Sequence, residues 1–316
     1  MDIEGMWGGL IPGAFVHRTQ LSEVLITDVD PDGQSRFICG AQWPRRHPYY
    51  GPFDERPAVT DVAIAAETLR QATIAVFHRW LGVPLGHAFV MEALRVRVFD
   101  AERSATGPQN IRVTVGLTDR VERRGMTSEA KSSVSMYLDG TLVAQGRGDA
   151  RILPPAVFQR VRAGAVSSAT VTTRPAVWSP ESGTTPAYAV VERNGEELSL
   201  VADASNPVYF DHPLDHVPGM VVLEACRQGL RIWSHDASAD IDDITLHFAH
   251  HLELDQRTSL TMRSTGGTTL EASFMQGSRV CASARMQIRN RDAPRRVPSD
   301  SHSNLPGLRL ATLTRA

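Results

Sequence analysis

The sequence predicts an α+β fold in which one unit, a long helix wrapped by a curved antiparallel β-sheet, occurs twice in a single chain. Three observations predict it. Only two stretches carry long helical periodicity, near residues 61–80 and 218–234, and each is followed by β-rich segments separated by turn signals. Both helices carry the same spacing, E-x-x-R-Q, first as Glu67, Arg70 and Gln71 and again as Glu224, Arg227 and Gln228. A doubly wound sheet would need helices between successive strands, and the chain has too few. A small sheet over one helix gains stability by pairing with its copy, edge to edge or face to face, and a cleft then forms between the halves.

Taken in order, residues 15–43 read as strands (FVHRTQLSEVLITDV, then SRFICGAQW) about a Pro31-Asp32-Gly33 turn. The loop WPRRHPYYGPFDERP is too irregular for either periodic element. Thr60 or Asp61 then caps a helix whose apolar stripe includes Val62, Ala65, Ala66, Leu69, Val76, Phe77 and Trp80, and which stops near Gly82-Val83-Pro84. Residues 87–99, 110–125 and 131–153 are β-rich, with Asp139-Gly140 marking a hairpin. Residues 153–182 are rich in Pro, Ser, Thr and Ala and read as a linker with one short helix. The pattern restarts with the strand ELSLVAD, a helix from Pro218-Gly219 through Ser234, and strands at 242–254, 259–265 and 269–289. The expected units are therefore 1–152 and 183–291, with a polar, flexible tail over 292–316.

Composition narrows the function. A net charge of −2 and a pI near 6.6 exclude the basic footprint of a general nucleic-acid binder. No apolar run approaches the roughly 18–20 residues of a spanning helix, and the N-terminus lacks a signal pattern, so a cytoplasmic protein with no membrane partner is expected. Cys39, Cys226 and Cys281 are too far apart in sequence to suggest a disulfide framework or a zinc cluster. His212 and His216 have metal-compatible spacing, but on a proline-containing turn rather than a helix, so no metal is expected. No P-loop, dinucleotide fingerprint or G-x-S-x-G elbow is present, and no cofactor is expected.

The chemistry concentrates in HPLDHVPGMVVLEACRQ, residues 212–228. Glu and Arg three residues apart share one side of a helix, and burying such a pair is costly. A single copy would read as a surface pair; two copies, each inside an apolar helix, favour function. A buried glutamate has a raised pKa that suits proton transfer, which makes Glu67 and Glu224 candidate bases. Arginine binds a phosphate dianion through its planar fork, which makes Arg70 and Arg227 candidate phosphate ligands. Amides after Pro218-Gly219 are placed to polarise a carbonyl. His47, beside Tyr49 and Tyr50, is as consistent with a site as with a structural role, and Arg46 could face an anionic substrate. Cys226 is expected in the core, and His17, His250 and His251 on strands or the surface.

The His-rich turn, Pro-Gly and E-A-x-x-Q helix resemble the motif of β-hydroxyacyl-carrier-protein dehydratases of the hotdog fold, with either His212 or His216 as the counterpart of their catalytic histidine. A resemblance covering nearly the whole chain is carried by VHRTQLSEVLITD, AQWPRRHPYY, AETLRQA and FDHPLDHVPGMVVLEACRQ, which look like the A-factor biosynthesis (AfsA-type) family of γ-butyrolactone and furan synthases. It implies a double hotdog, as monomer or homodimer, that transfers a β-ketoacyl group from acyl carrier protein to the hydroxyl of dihydroxyacetone phosphate. The ester then closes to a phosphorylated butenolide or a furan precursor, of the kind that signals for antibiotic production. It also implies functional roles for Glu67, Arg70, Glu224 and Arg227, with Gln71, Gln228 and Gly219 beside them. A hotdog dehydratase or thioesterase acting on acyl carrier protein, and a non-catalytic acyl- or lactone-binding protein, are the alternatives; the doubled arginine is unneeded for dehydration.

Overall fold

Each long helix starts where local chemistry lets it. Helix α1 (Val62–Trp80) is capped by the Asp61 carboxylate, which accepts from the amides of Ala63 at 2.6 Å and Ile64 at 3.3 Å. It is buried on nearly every face, Glu67 and Gln71 included. Helix α2 (Pro155–Val161) is short and lies in the expected linker. Helix α3 (Gly219–Ser234) follows Pro218, receives no side-chain cap, and ends at His235 in the left-handed region. The computed structural model describes residues 4–44, 47, 49–50, 60–99, 109–123 and 125–289. Arg45, Arg46, Arg124 and the tail over 292–316 lie outside the described residues.

Among the described residues twelve strands form one sheet. The first half supplies β1 (Ile26–Pro31), β2 (Arg36–Trp43), β3 (Ala88–Val98), β4 (Gln109–Arg123), β5 (Met126–Leu138) and β6 (Thr141–Leu153). The second supplies β7 (Val191–Asn194), β8 (Glu197–Leu200), β9 (Ile241–Phe248), β10 (Thr258–Gly266), β11 (Thr269–Gln276) and β12 (Arg279–Ile288). The order is β1-β2-β4-β5-β6-β3-β9-β12-β11-β10-β8-β7, with every pairing antiparallel. The halves therefore join edge to edge at β3 and β9, from Ala93 opposite His247 to Arg97 opposite Asp243. A forked ion pair fixes this seam, Arg95 Nε and Nη2 donating to the two Asp243 oxygens at 3.1 and 2.7 Å.

Helix α1 packs across β1 to β6 and also touches α3, so one hydrophobic core runs through both halves. Gly146 on β6 permits that approach: a Cβ there would lie 2.7 Å from the Arg95 carbonyl and collide with the Leu69 side chain. Among the described residues no helix is long and apolar enough to cross a membrane.

One expected element is corrected. Residues 15–25 are not a strand; they form two 3-10 turns, Gly13–Val16 and Leu21–Glu23, with His17 at φ 54° between them. The physical reason is that residues 18–20 bond to the second half instead of to a neighbouring strand. Arg18 Nη1 donates to the Val208 carbonyl at 3.2 Å, and the Thr19 and Gln20 amides donate to the Asp211 carboxylate at 2.8 and 3.1 Å. The Thr19 hydroxyl also donates to the Asp211 backbone oxygen at 2.7 Å.

Candidate active site

That clasp holds one wall of a cavity of about 850 Å³ lying between the halves. Its lining includes His17, Arg18, Tyr49, Tyr50 and Arg70 from the first half, and His212, Asp215, His216, Pro218, Gly219 and Met220 from the second. Of the residues expected at the site, Arg70, His212, His216 and Gly219 are brought together here. Glu67, Gln71, Glu224, Arg227, Gln228 and His47 do not line this cavity, and Arg46 is not described.

The Gln of each motif holds its own half together. Gln71 accepts from the Leu25 amide and donates to the Glu23 carbonyl, next to β1; Gln228 accepts from the Val190 and Val191 amides and donates to the Tyr188 carbonyl, next to β7. Each also donates to the glutamate four residues before it, at 2.7 and 2.8 Å. His47 is likewise a brace. Its Nδ1 accepts from the Tyr49 and Tyr50 amides, its Nε2 lies 3.2 Å from Glu23 Oε1, and its ring packs on Tyr50. These side chains are thus bonded to neighbouring backbone and carboxylate groups.

Glu67 reverses an expectation. Burial alone would raise its pKa, but the Arg18 and Arg70 guanidiniums outweigh burial and hold it at about 2. Its Oε1 accepts from Arg18 Nη2 at 2.9 Å, Arg70 Nη2 at 2.7 Å and Gln71 Nε2 at 2.7 Å, and its Oε2 from Arg70 Nε at 2.9 Å. An ionised carboxylate so surrounded is an anchor for two arginines, not a proton acceptor near neutrality. Because the folded pKa is depressed, its stabilisation is complete above the ordinary carboxylate range and is lost as pH falls from about 4.5 towards 2. Urea unfolding followed across that window is expected to lose about 3 kcal/mol through this group. In Glu67→Gln that part of the acid dependence should be missing.

Arg70 is consequently held on one side only. Nε and Nη2 are taken by Glu67 and the Val16 carbonyl, while Nη1 meets no acceptor among the described residues. Arg227 differs: its Nη1 donates to Glu224 at 2.7 Å and its Nη2 to Asp61 at 2.6 Å, and the side chain is 2% exposed.

The two turn histidines also differ. His216 Nδ1 lies 2.6 Å from Asp215 Oδ1; a carboxylate that accepts there leaves Nε2 as a lone pair. Burial would raise the Asp215 carboxyl, but its bonds to His216 and Arg162 bring it to about 2. Arg162, from the stretch read as a linker, donates Nε to Asp215 at 3.0 Å and forks onto Glu253 at 2.7 Å. Ser168 secures the same turn through Leu214, whose amide donates to its hydroxyl at 2.8 Å. His212 makes no hydrogen bond to any described residue; burial, with Arg70 and Arg18 opposing Asp211, holds its pKa below the ordinary value.

Three further histidines line the cavity, although sequence alone places them on strands or the surface. His250 and His251 follow β9 and line it, with the His251 ring 4.9 Å from that of His216. His17 lines it too, its Nε2 2.9 Å from His78 Nε2. His78 Nδ1 faces the Val83 carbonyl at 2.8 Å and must donate there, so in the neutral pair His17 donates to His78. Burial takes His17 down to about 3, which keeps it uncharged. One sequence signal for its position exists: His17 to Gln20 are four polar residues in a row, which a half-buried strand does not tolerate.

At the N-terminus of α3 the amides of Gly219 and Met220 precede the first intrahelical bonds, which begin at Val221 and Val222. Both residues line the cavity, which thus meets the positive end of a helix. The pattern known as the A-factor biosynthesis hotdog domain matches residues 9–154 and 186–291. The chain belongs to this family. It is 32% identical to the 2-oxo-3-(phosphooxy)propyl 3-oxoalkanoate synthase of Streptomyces virginiae over 255 residues, which covers 78% of this chain and 84% of that one. It is 30% identical to the enzyme of the same name from Streptomyces griseus over 220 residues, 67% of this chain and 72% of that one. Among solved structures it is similar to the 12:0-ACP thioesterase from Umbellularia californica, with TM-score 0.49 and 11% identity, over 80% of this chain and 97% of that one. Membership makes the predicted double hotdog the fold of this chain, with the seam at β3 and β9.

Proposed function

We propose that this protein is a 2-oxo-3-(phosphooxy)propyl 3-oxoalkanoate synthase, transferring a 3-oxoacyl group from acyl carrier protein to the hydroxyl of dihydroxyacetone phosphate. The observation that carries the reading is the half-held Arg70 in the same cavity as the Asp215-braced His216 and the uncapped start of α3.

Each group meets one demand of the reaction. The phosphate dianion binds at Arg70, whose Nη1 supplies a charge-assisted bond. The thioester carbonyl lies against the Gly219 and Met220 amides, which strengthen their hold as the oxygen becomes an oxyanion. The acceptor hydroxyl attacks the carbonyl carbon while His216 Nε2 takes its proton, and Asp215 stabilises the resulting imidazolium. The C–S bond breaks, the carrier thiolate takes that proton, and the ester is released. In the ester the α-carbon, flanked by two carbonyls, condenses with the ketone and loses water, giving a phosphorylated butenolide. This places the base on a histidine, and gives Glu67 the task of holding Arg70 and Arg18.

The test is to incubate the purified protein with a 3-oxoacyl thioester of acyl carrier protein and dihydroxyacetone phosphate, and to follow products by mass spectrometry. The phosphorylated ester or butenolide is expected. An enoyl thioester or free 3-oxo acid would assign a dehydratase or thioesterase instead, and unchanged thioester with measurable acyl binding a non-catalytic binder.

A further inference from the structure

The duplication repeats the glutamate, arginine and glutamine, but it does not repeat the residue at the helix start. Pro218 stands six residues before Glu224, as Asp61 stands six before Glu67, and each is the N-cap of its helix. Every motif arginine has its glutamate three residues earlier as a partner. What differs is the remaining edge of the guanidinium. Arg70 forks Nε and Nη2 onto Glu67 and leaves Nη1 without an acceptor among the described residues, in the cavity that holds Pro218. Arg227 is turned so that Nη1 serves Glu224 and Nη2 reaches Asp61, at the cost of a buried Nε that has no partner among the described residues.

An arginine that gives up a fork to reach a second carboxylate, at 2% exposure, already has the anion it can hold. Arg289 adds to the enclosure, its Nη2 donating to the Thr60 carbonyl beside Asp61. The Asp61 carboxylate has a second duty as well, accepting from the first amides of α1. It is therefore built into both halves, whereas among the described residues no carboxylate other than Glu67 bonds to Arg70.

We infer that Asp61 is an internal surrogate for the substrate's phosphate: it fills the anion position of the second motif, so the chain has two copies of the site framework but one working phosphate site, at Arg70. The inference rests on the proposed assignment of Arg70 to phosphate. It also explains why the second motif retains its arginine, since that arginine joins α3 to the start of α1 as an ion-paired strut.

The count of sites is measurable by titration calorimetry with dihydroxyacetone phosphate. Wild type is expected to bind one molecule per chain and Arg70→Met none. Asp61→Ser keeps a capping oxygen for α1 while removing the charge, and is expected to bind two. Two sites in wild type, or one site surviving in Arg70→Met, would overturn the surrogate role while leaving the synthase reading in place. A single site in folded Asp61→Ser also counts against it. No binding to wild type would remove the phosphate assignment at Arg70 and the inference with it. The wild-type and Arg70→Met counts can still overturn the inference even where Asp61→Ser does not fold.

Discussion

Arg70→Met is expected to lower kcat/KM for the phosphorylated acceptor by about 10²–10³-fold while costing only about 1–2 kcal/mol of stability, and Arg227→Met is expected to do the reverse. The two arginines occupy the same place in the duplicated motif, so sequence alone predicts the same effect for both. Their surroundings decide otherwise. Removing Arg70 leaves Glu67 bonded to Arg18 and Gln71, so the buried carboxylate keeps a cation, but the cavity loses its half-held guanidinium. Among the described residues, removing Arg227 strips the cation bonded to Glu224 and takes from Asp61 its 2.6 Å ion pair, both carboxylates being nearly fully buried. Breaking a buried pair from one side costs about 3–5 kcal/mol, because the abandoned charges stay out of water. Urea unfolding of both variants, alongside kcat/KM for dihydroxyacetone phosphate, checks the crossing pattern. Equal loss of activity without loss of stability in Arg227→Met would show that the second motif also binds substrate.

The contrast marks the boundary of what a single sequence discloses here. The helices were legible because their causes are local: an Asp cap ahead of one, Pro-Gly ahead of the other, and apolar stripes between. Most strands were legible for the same reason, through alternation and an Asp-Gly turn. The burial of Glu67 could be read from its apolar helix, and burial alone raises a carboxyl pKa. The two arginines that reverse the sign could not all be read, since Arg18 arrives from 49 residues away. Residues 15–25 failed for a similar reason, their bonding partners lying about 190 positions further on. The stretch 153–182 has the composition of a tether, yet Arg162 and Ser168 brace the histidine turn. Composition reports solubility and backbone freedom; it does not report which carboxylate an arginine will find.

His216→Ala is expected to reduce ester formation by about 10²–10⁴-fold, the usual contribution of a positioned general base, and His212→Ala by no more than about tenfold. Sequence left these two histidines equivalent, four residues apart on one turn. The structure separates them by their partners: His216 is oriented by Asp215, and His212 has no hydrogen bond to any described residue. The sharper test is Asp215→Asn. Asp215 Oδ2 accepts from the Arg162 guanidinium and Oδ1 from His216. Asparagine has one oxygen, and the charged arginine claims it, so the amide NH2 turns towards His216 Nδ1. The imidazole must then carry its proton on Nε2, and the cavity loses its lone pair although the ring stays in place. Asp215→Asn should therefore lose nearly as much turnover as His216→Ala, with the Kd for dihydroxyacetone phosphate unchanged, because Arg70 is untouched. A turnover number near wild type in Asp215→Asn would transfer the base to another group at the cavity, with His17 the next to examine, since its pairing with His78 also leaves a ring nitrogen unprotonated.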